Sequence, residues 1–178
     1  AQANAGKAAA AASKDGSGKP KLLSERDTQE EIRFTTGVGE LDRVLGGGAV
    51  RGSVVLVGGA PGVGKSTLLL QLCGLVGGSE RVLYVTGEES RRQLKMRAQR
   101  LGVSEGEIYV LAETQLAEIE AQIEAVQPTV VIVDSIQTMF DTEIAAAPGS
   151  VSQVRECTMS IMSLANAEGF TAFVGGHI

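Results

Sequence analysis

The octet Gly59-Ala60-Pro61-Gly62-Val63-Gly64-Lys65-Ser66 constrains this chain more than any other stretch. It fits G-x-x-x-x-G-K-[ST] and stands between an apolar run, residues 54–57, and a helical run, residues 67–72. Glycines let the backbone turn tightly and bring its N–H groups against phosphate oxygens, an approach that a Cβ would obstruct. The helix that follows offers unpaired N–H donors and the positive end of its dipole to the same group. Lys65 supplies a full charge to the β- and γ-phosphates, the Ser66 hydroxyl is placed to ligate Mg²⁺, and Thr67 lines the same edge. The expected ligand is thus a magnesium-chelated nucleoside triphosphate, held by residues 59–67.

Two further segments belong with such a loop. Val130-Val131-Ile132-Val133-Asp134 is a continuous apolar run ending in a carboxylate. A strand buried on both faces explains the run, and Asp134 at its carboxyl end can hold the magnesium shell beside Ser66. Tyr84-Val85-Thr86-Gly87-Glu88-Glu89-Ser90 places two acids just past another strand, where open α/β sheets collect ligands. Hydrolysis needs a positioned acceptor for a proton of the attacking water, and either acid can serve; both also favour the start of the next helix.

The remaining pattern predicts an α/β fold, a mainly parallel sheet flanked by helices, from short β-branched runs that alternate with helical periodicity. Strands are expected at residues 53–57, 82–86, 108–111, 130–133 and 171–174. Leu116, Ile119, Ile123 and Val126 recur at spacings of three and four, as do Leu94, Ala98 and Leu101 in the preceding helix, where Ser90 caps the start and Gly102 the end. Residues 1–33 are rich in Ala, Lys, Ser and Gly and cannot bury enough surface to offset their ordering entropy, so they are expected to form a disordered tail before a core at 34–178.

Charge and cysteine content narrow the classes. A net charge of −5 argues against a polycation that coats nucleic acid by charge alone, so any such contact is local. Cys73 and Cys157 show no C-x-x-C spacing and read as two buried thiols in a reducing compartment. No run approaches the roughly 20 apolar residues that span a bilayer, so no membrane contact is expected and the chain reads as cytoplasmic. Arg91, Arg92, Lys95, Arg97 and Arg100 form the densest basic cluster, expected as a solvated helix face.

In order, these motifs resemble one family. The lead-in at residues 36–48, Thr-Gly-Val-Gly-Glu-Leu-Asp-Arg-Val-Leu-Gly-Gly-Gly, is similar to that of RecA-superfamily ATPases. Residues 84–90, residues 134–139 and the long, idiosyncratic stretch at 147–157, Ala-Pro-Gly-Ser-Val-Ser-Gln-Val-Arg-Glu-Cys, resemble the RadA/Sms branch. The resemblance implies a RecA-like P-loop NTPase core using ATP and Mg²⁺, and an ATP-driven motor that promotes branch migration during DNA recombination and repair. It also implies single-stranded or branched DNA as partner, a homo-oligomeric ring in the intact protein, and a recombinase as a further partner. Glu88 matches the water-activating glutamate, His177 falls where the superfamily keeps a residue that senses the γ-phosphate, and residues 138–150 correspond to a DNA-facing loop. That loop carries no Lys or Arg, and its Ala, Pro and Gly content suits mobility.

The chain also departs from the family. The four-cysteine zinc module, the Lys-Asn-Arg-Phe-Gly motif and the Lon-like domain of full-length relatives are not in this sequence, which reads as truncated at both ends. No additional cation for the transition state is evident, so slow turnover is expected. The alternatives are another RecA-superfamily ATPase of clock or helicase type, a nucleotide-binding fragment without turnover, and a GTPase-like switch. Against the last, no Asn-Lys-x-Asp motif is present.

Overall fold

The computed structural model describes residues 20–25, 32–59, 64–103 and 106–177. The contact pattern divides the chain into two units, Ala1–Glu30 and Glu31–Ile178. Within the first, the described residues form one turn, closed by the Glu25 N–H on the Leu22 carbonyl, with Leu22 and Leu23 exposed. The rest of the expected tail lies outside the described residues.

The larger unit opens with a two-stranded antiparallel ribbon, β1 (Arg33–Phe34) and β2 (Ala49–Val50), enclosing α1 (Gly39–Val44). Asp42 organises this lead-in by accepting from the hydroxyls of Thr35 and Thr36, each at 2.6 Å, and from the Thr36 N–H at 2.9 Å. Burial alone would raise the Asp42 pKa, but these three bonds outweigh it and hold the carboxyl below its usual range.

Then follow β3 (Val54–Gly59), α2 (Lys65–Val76), β4 (Val82–Thr86), α3 (Arg91–Arg100), β5 (Ile108–Ala112), α4 (Leu116–Val126), β6 (Val130–Asp134), a 3-10 turn (Ile136–Thr138), α5 (Val151–Glu168) and β7 (Thr171–His177). The sheet is fully parallel in the order β3-β7-β6-β4-β5. All five expected strands are present, and β7 continues to His177 rather than stopping at residue 174. Lying between β3 and β6, β7 has both edges paired, so the sheet's open edges are β3 and β5.

Strands β4, β6 and β7 read as unbroken apolar runs because both faces are covered. Alternation sends Leu83, Val85, Val131, Val133, Ala172 and Val174 to one side, where α4 and α5 supply Ile119, Ile123, Cys157 and Ile161. Val82, Tyr84, Val130, Ile132 and Phe173 go to the other, against Leu69, Leu72, Cys73 and Val76 of α2 and Leu94 of α3. Ser90 caps the start of α3 and Gly102 follows its end at φ +73°, as expected from sequence, and Gln93 completes a capping box with Ser90.

Both cysteines are buried. Burial pushes the Cys73 thiol up to about 12 and the Cys157 thiol up to about 11, the latter with help from the nearby Asp141 charge. At pH 8 the thiolate is therefore about one part in a thousand or less. Alkylation by iodoacetamide is expected to be at least tenfold slower, in order of magnitude, on the folded chain than on the denatured one; equal rates would show that the helices do not shield the thiols.

The sequence stretch corresponding to a DNA-facing loop is tied down by one residue. Gln153, 1% exposed at the start of α5, accepts from the Asp141 N–H at 2.8 Å, and its amide donates to the carbonyls of Asp141, Ile144 and Ala146 at 3.1, 3.3 and 2.9 Å. Gln153→Ala would leave these groups unpaired over a small cavity, an expected loss of about 3 kcal/mol. Limited proteolysis should then cut residues 141–146 faster; an unchanged cleavage pattern would mean that the loop holds itself.

Candidate nucleotide site

Parallel register places the sequence motifs along one edge of the sheet. Thr86 of β4 pairs with Asp134 of β6, Asp134 with Gly175 of β7, and Gly59 of β3 with His177 of β7. These carboxyl ends are where open α/β sheets bind ligands. Gly64 caps α2 at φ +77°, a conformation strained for any residue with a Cβ, and so sets Lys65 and Ser66 as the first residues of that helix. Ala60, Pro61, Gly62 and Val63 lie outside the described residues; Thr67 is half-buried on α2.

Ser66 and Asp134 meet directly, the hydroxyl donating to Oδ2 at 2.6 Å. Lys65 Nζ stands 4.0 Å from Asp134 Oδ1, a charge contact too long for a hydrogen bond, and the Tyr84 hydroxyl reaches Oδ2 at 3.5 Å. Burial, followed by the Asp134 charge, raises the Tyr84 phenol, which stays a neutral donor. Close approach of β7 depends on Gly175, whose added Cβ would press on Leu69 of α2 at 2.9 Å.

Of the two acids after β4, Glu88 is exposed in a bend and Glu89 is half-buried. Their turn is fixed by Thr86 Oγ1, which accepts from the Glu89 N–H at 3.1 Å and donates to the Glu89 carbonyl at 3.3 Å. Gly87 packs so closely on Thr138 that a Cβ would collide with it. His177 is exposed at the end of β7, and its carbonyl accepts from Gln137 Nε2 at 3.4 Å.

Arg97 corrects one expectation. It is no part of a solvated basic face. Its Nη2 donates to Ser66 Oγ at 2.7 Å, and its Nη1 meets Glu89 Oε1 at 3.0 Å. The signal was present in the sequence: Arg97 follows the buried Leu94 by three positions and shares its inward side.

The buried side-chain polar atoms that lack a hydrogen-bond partner among the described residues are Lys65 Nζ, Arg97 Nε, Ser135 Oγ and Gln137 Oε1. Lys65 and Arg97 flank the Ser66–Asp134 pair, while Ser135 and Gln137 lie one and three positions after Asp134. Buried donors are otherwise almost always bonded, so Lys65 Nζ and Arg97 Nε beside that pair suit a polyanion, whereas Gln137 Oε1 is an acceptor and does not bear on it. The donor set also fits Mg²⁺. Among the described residues no group of three or more His, Cys, Asp or Glu converges, and a hydroxyl with one carboxylate suits an ion that takes most of its shell from water and phosphate.

A family model described as "ATPase: KaiC" matches residues 34–110. A KaiC-like protein of the archaeon Pyrococcus horikoshii superposes with a TM-score of 0.67 over 84% of this chain and 73% of its own, at 20% identity, a likeness of fold alone. Sheet order, helix layers and motif placement thus define a RecA-like P-loop ATPase core. Among curated relatives, the "DNA repair protein RadA" of Halalkalibacterium halodurans is 54% identical over 164 residues, and that of Bacillus subtilis 51% identical over 161. Over nearly its whole length the chain is thus similar to RadA proteins. These alignments cover 92% and 90% of the chain but 36% and 35% of the relatives, so the chain spans about a third of their length.

Proposed function

We propose that residues 34–178 are the Mg-ATP-binding and ATP-hydrolysing core of a DNA-repair motor, with the preceding residues as a tail. Support comes above all from the buried, unpartnered donors Lys65 Nζ and Arg97 Nε beside the 2.6 Å contact between Ser66 and Asp134. In this reading the amides of residues 59–64 cradle the phosphates, and Lys65 neutralises β- and γ-phosphate charge. Ser66 and Asp134 would hold Mg²⁺, which would supply positive charge to offset that of the phosphates. Thr67 lines the same edge.

Glu88 accepts a proton from the attacking water, a role favoured by its match to the family's glutamate and by its open position after β4. His177, paired with Gly59 across β3 and β7, is set to register the terminal phosphate. Residues 138–150 face DNA, single-stranded or branched. The DNA repair name of the relatives supports that partner, and branch migration, a homo-oligomeric ring, a recombinase partner and a cytoplasmic setting extend the same reading. No described helix is long and apolar enough to cross a membrane.

Turnover of ATP by this chain, measured with and without single-stranded and branched DNA, tests the motor reading. Slow basal hydrolysis that rises with DNA is expected. Nucleotide binding with no turnover under either condition would reduce the chain to a nucleotide-binding piece, and a tenfold preference for GTP, in order of magnitude, would contradict the ATP assignment.

A further inference from the structure

Arg97 holds the hydroxyl that the metal needs. A serine hydroxyl has one proton and two lone pairs. Ser66 spends the proton on Asp134 Oδ2 and accepts the Arg97 Nη2 donor at 2.7 Å, while the other arm of the guanidinium is fixed by Glu89 at 3.0 Å. The result is one chain of contacts, Glu89–Arg97–Ser66–Asp134, joining the turn after β4 to the end of β6 across the start of α2. A guanidinium and a divalent ion repel, and both draw on the same oxygen.

We propose that Arg97 is a positioning residue that stands in for Mg²⁺ on Ser66 when no nucleotide is bound, and that loading Mg-nucleotide requires this fork to leave Ser66. The inference rests on the nucleotide-binding reading above and adds a competition to it. The turn that carries Glu89 and the helix that carries Arg97 differ in how firmly they are held. Glu89 is fixed through its own backbone by Thr86, whereas α3 buries only Leu94 and lies beside a cavity of about 530 Å³ lined in part by Cys73, Tyr84, Leu94, Ala98 and Val110. The helix that carries Arg97 thus has space beneath it. Release also frees Glu89, so metal loading and rearrangement of the acidic turn become one event.

A state in which Arg97 occupies Ser66 lowers the apparent metal affinity by the fraction of molecules with the site free. The test is binding of a fluorescent ATP analogue to the full chain at rising Mg²⁺, for wild type, Arg97→Ala and Glu89→Gln. Both variants are expected to reach half-maximal binding at about threefold lower Mg²⁺ or less, Arg97→Ala by removing the competitor and Glu89→Gln by loosening its anchor. Thermal melting without nucleotide confirms that each variant is folded. An unchanged or raised Mg²⁺ requirement in Arg97→Ala would overturn the proposal, as would weaker binding by the same factor at every Mg²⁺ concentration, which marks a phosphate ligand or a structural prop. Wild type that binds no analogue at any Mg²⁺ concentration would defeat the nucleotide reading itself, a distinct result.

Discussion

Asp134→Asn is expected to weaken Mg-nucleotide binding by about a hundredfold while also destabilising the empty chain by about 2 kcal/mol. Asparagine keeps the shape of the side chain and removes its charge. Lys65 Nζ, whose side chain is 9% exposed, then stands beside no carboxylate at 4.0 Å, and Ser66 loses a charged acceptor at 2.6 Å. Breaking a buried pair by removing one partner leaves the other as an uncompensated charge, a cost of about 3–5 kcal/mol that the 15% exposure of Asp134 and the long contact reduce. Denaturant unfolding without nucleotide reads the stability change, and titration with and without Mg²⁺ reads the binding change. A variant that keeps its Mg²⁺ dependence would remove Asp134 from the metal site.

Phe173→Ala should cost about 4 kcal/mol, much of a typical domain's stability. The ring has no exposed surface and lies in the middle of β7, a strand flanked on both sides, packed with Leu69, Leu72 and Cys73 of α2. Its loss opens a cavity beneath the helix that presents Lys65 and Ser66, so nucleotide affinity should fall along with the melting temperature. Differential scanning calorimetry measures this directly. A loss below about 1 kcal/mol would mean that α2 is not supported from β7.

Much of this arrangement was legible in the chain because strong physical requirements leave plain patterns. Val130–Asp134 read as a strand covered on both faces, and Ser90 and Gly102 marked the ends of α3. Other parts were written more faintly. Helix α5 buries Gln153, Cys157, Ile161 and Ala165, spaced by four, but an amide, a thiol and a methyl give little hydrophobic contrast, and the stretch read instead as a family signature. The ribbon of β1 and β2 has two residues per strand, too few to show a period.

Arg97 was hidden by its neighbours. Arg91, Arg92, Lys95 and Arg100 made the whole segment look solvated, although the spacing from Leu94 pointed inward. Nor could sequence show that a single glutamine gathers residues 141–146, because that requires knowing that the carbonyls of Asp141, Ile144 and Ala146 converge on one amide.

The central claim is that Lys65, Ser66 and Asp134 grip a magnesium-chelated triphosphate, and nucleotide-dependent thermal stabilisation of wild type against Lys65→Ala tests it most directly. At a ligand concentration of about 100 Kd, binding adds about 2.7 kcal/mol, a shift of several degrees. Wild type should show that shift with Mg-ATP and Lys65→Ala should lose it while melting cooperatively. An equal shift in both proteins, or none in wild type at millimolar Mg-ATP, would contradict the account.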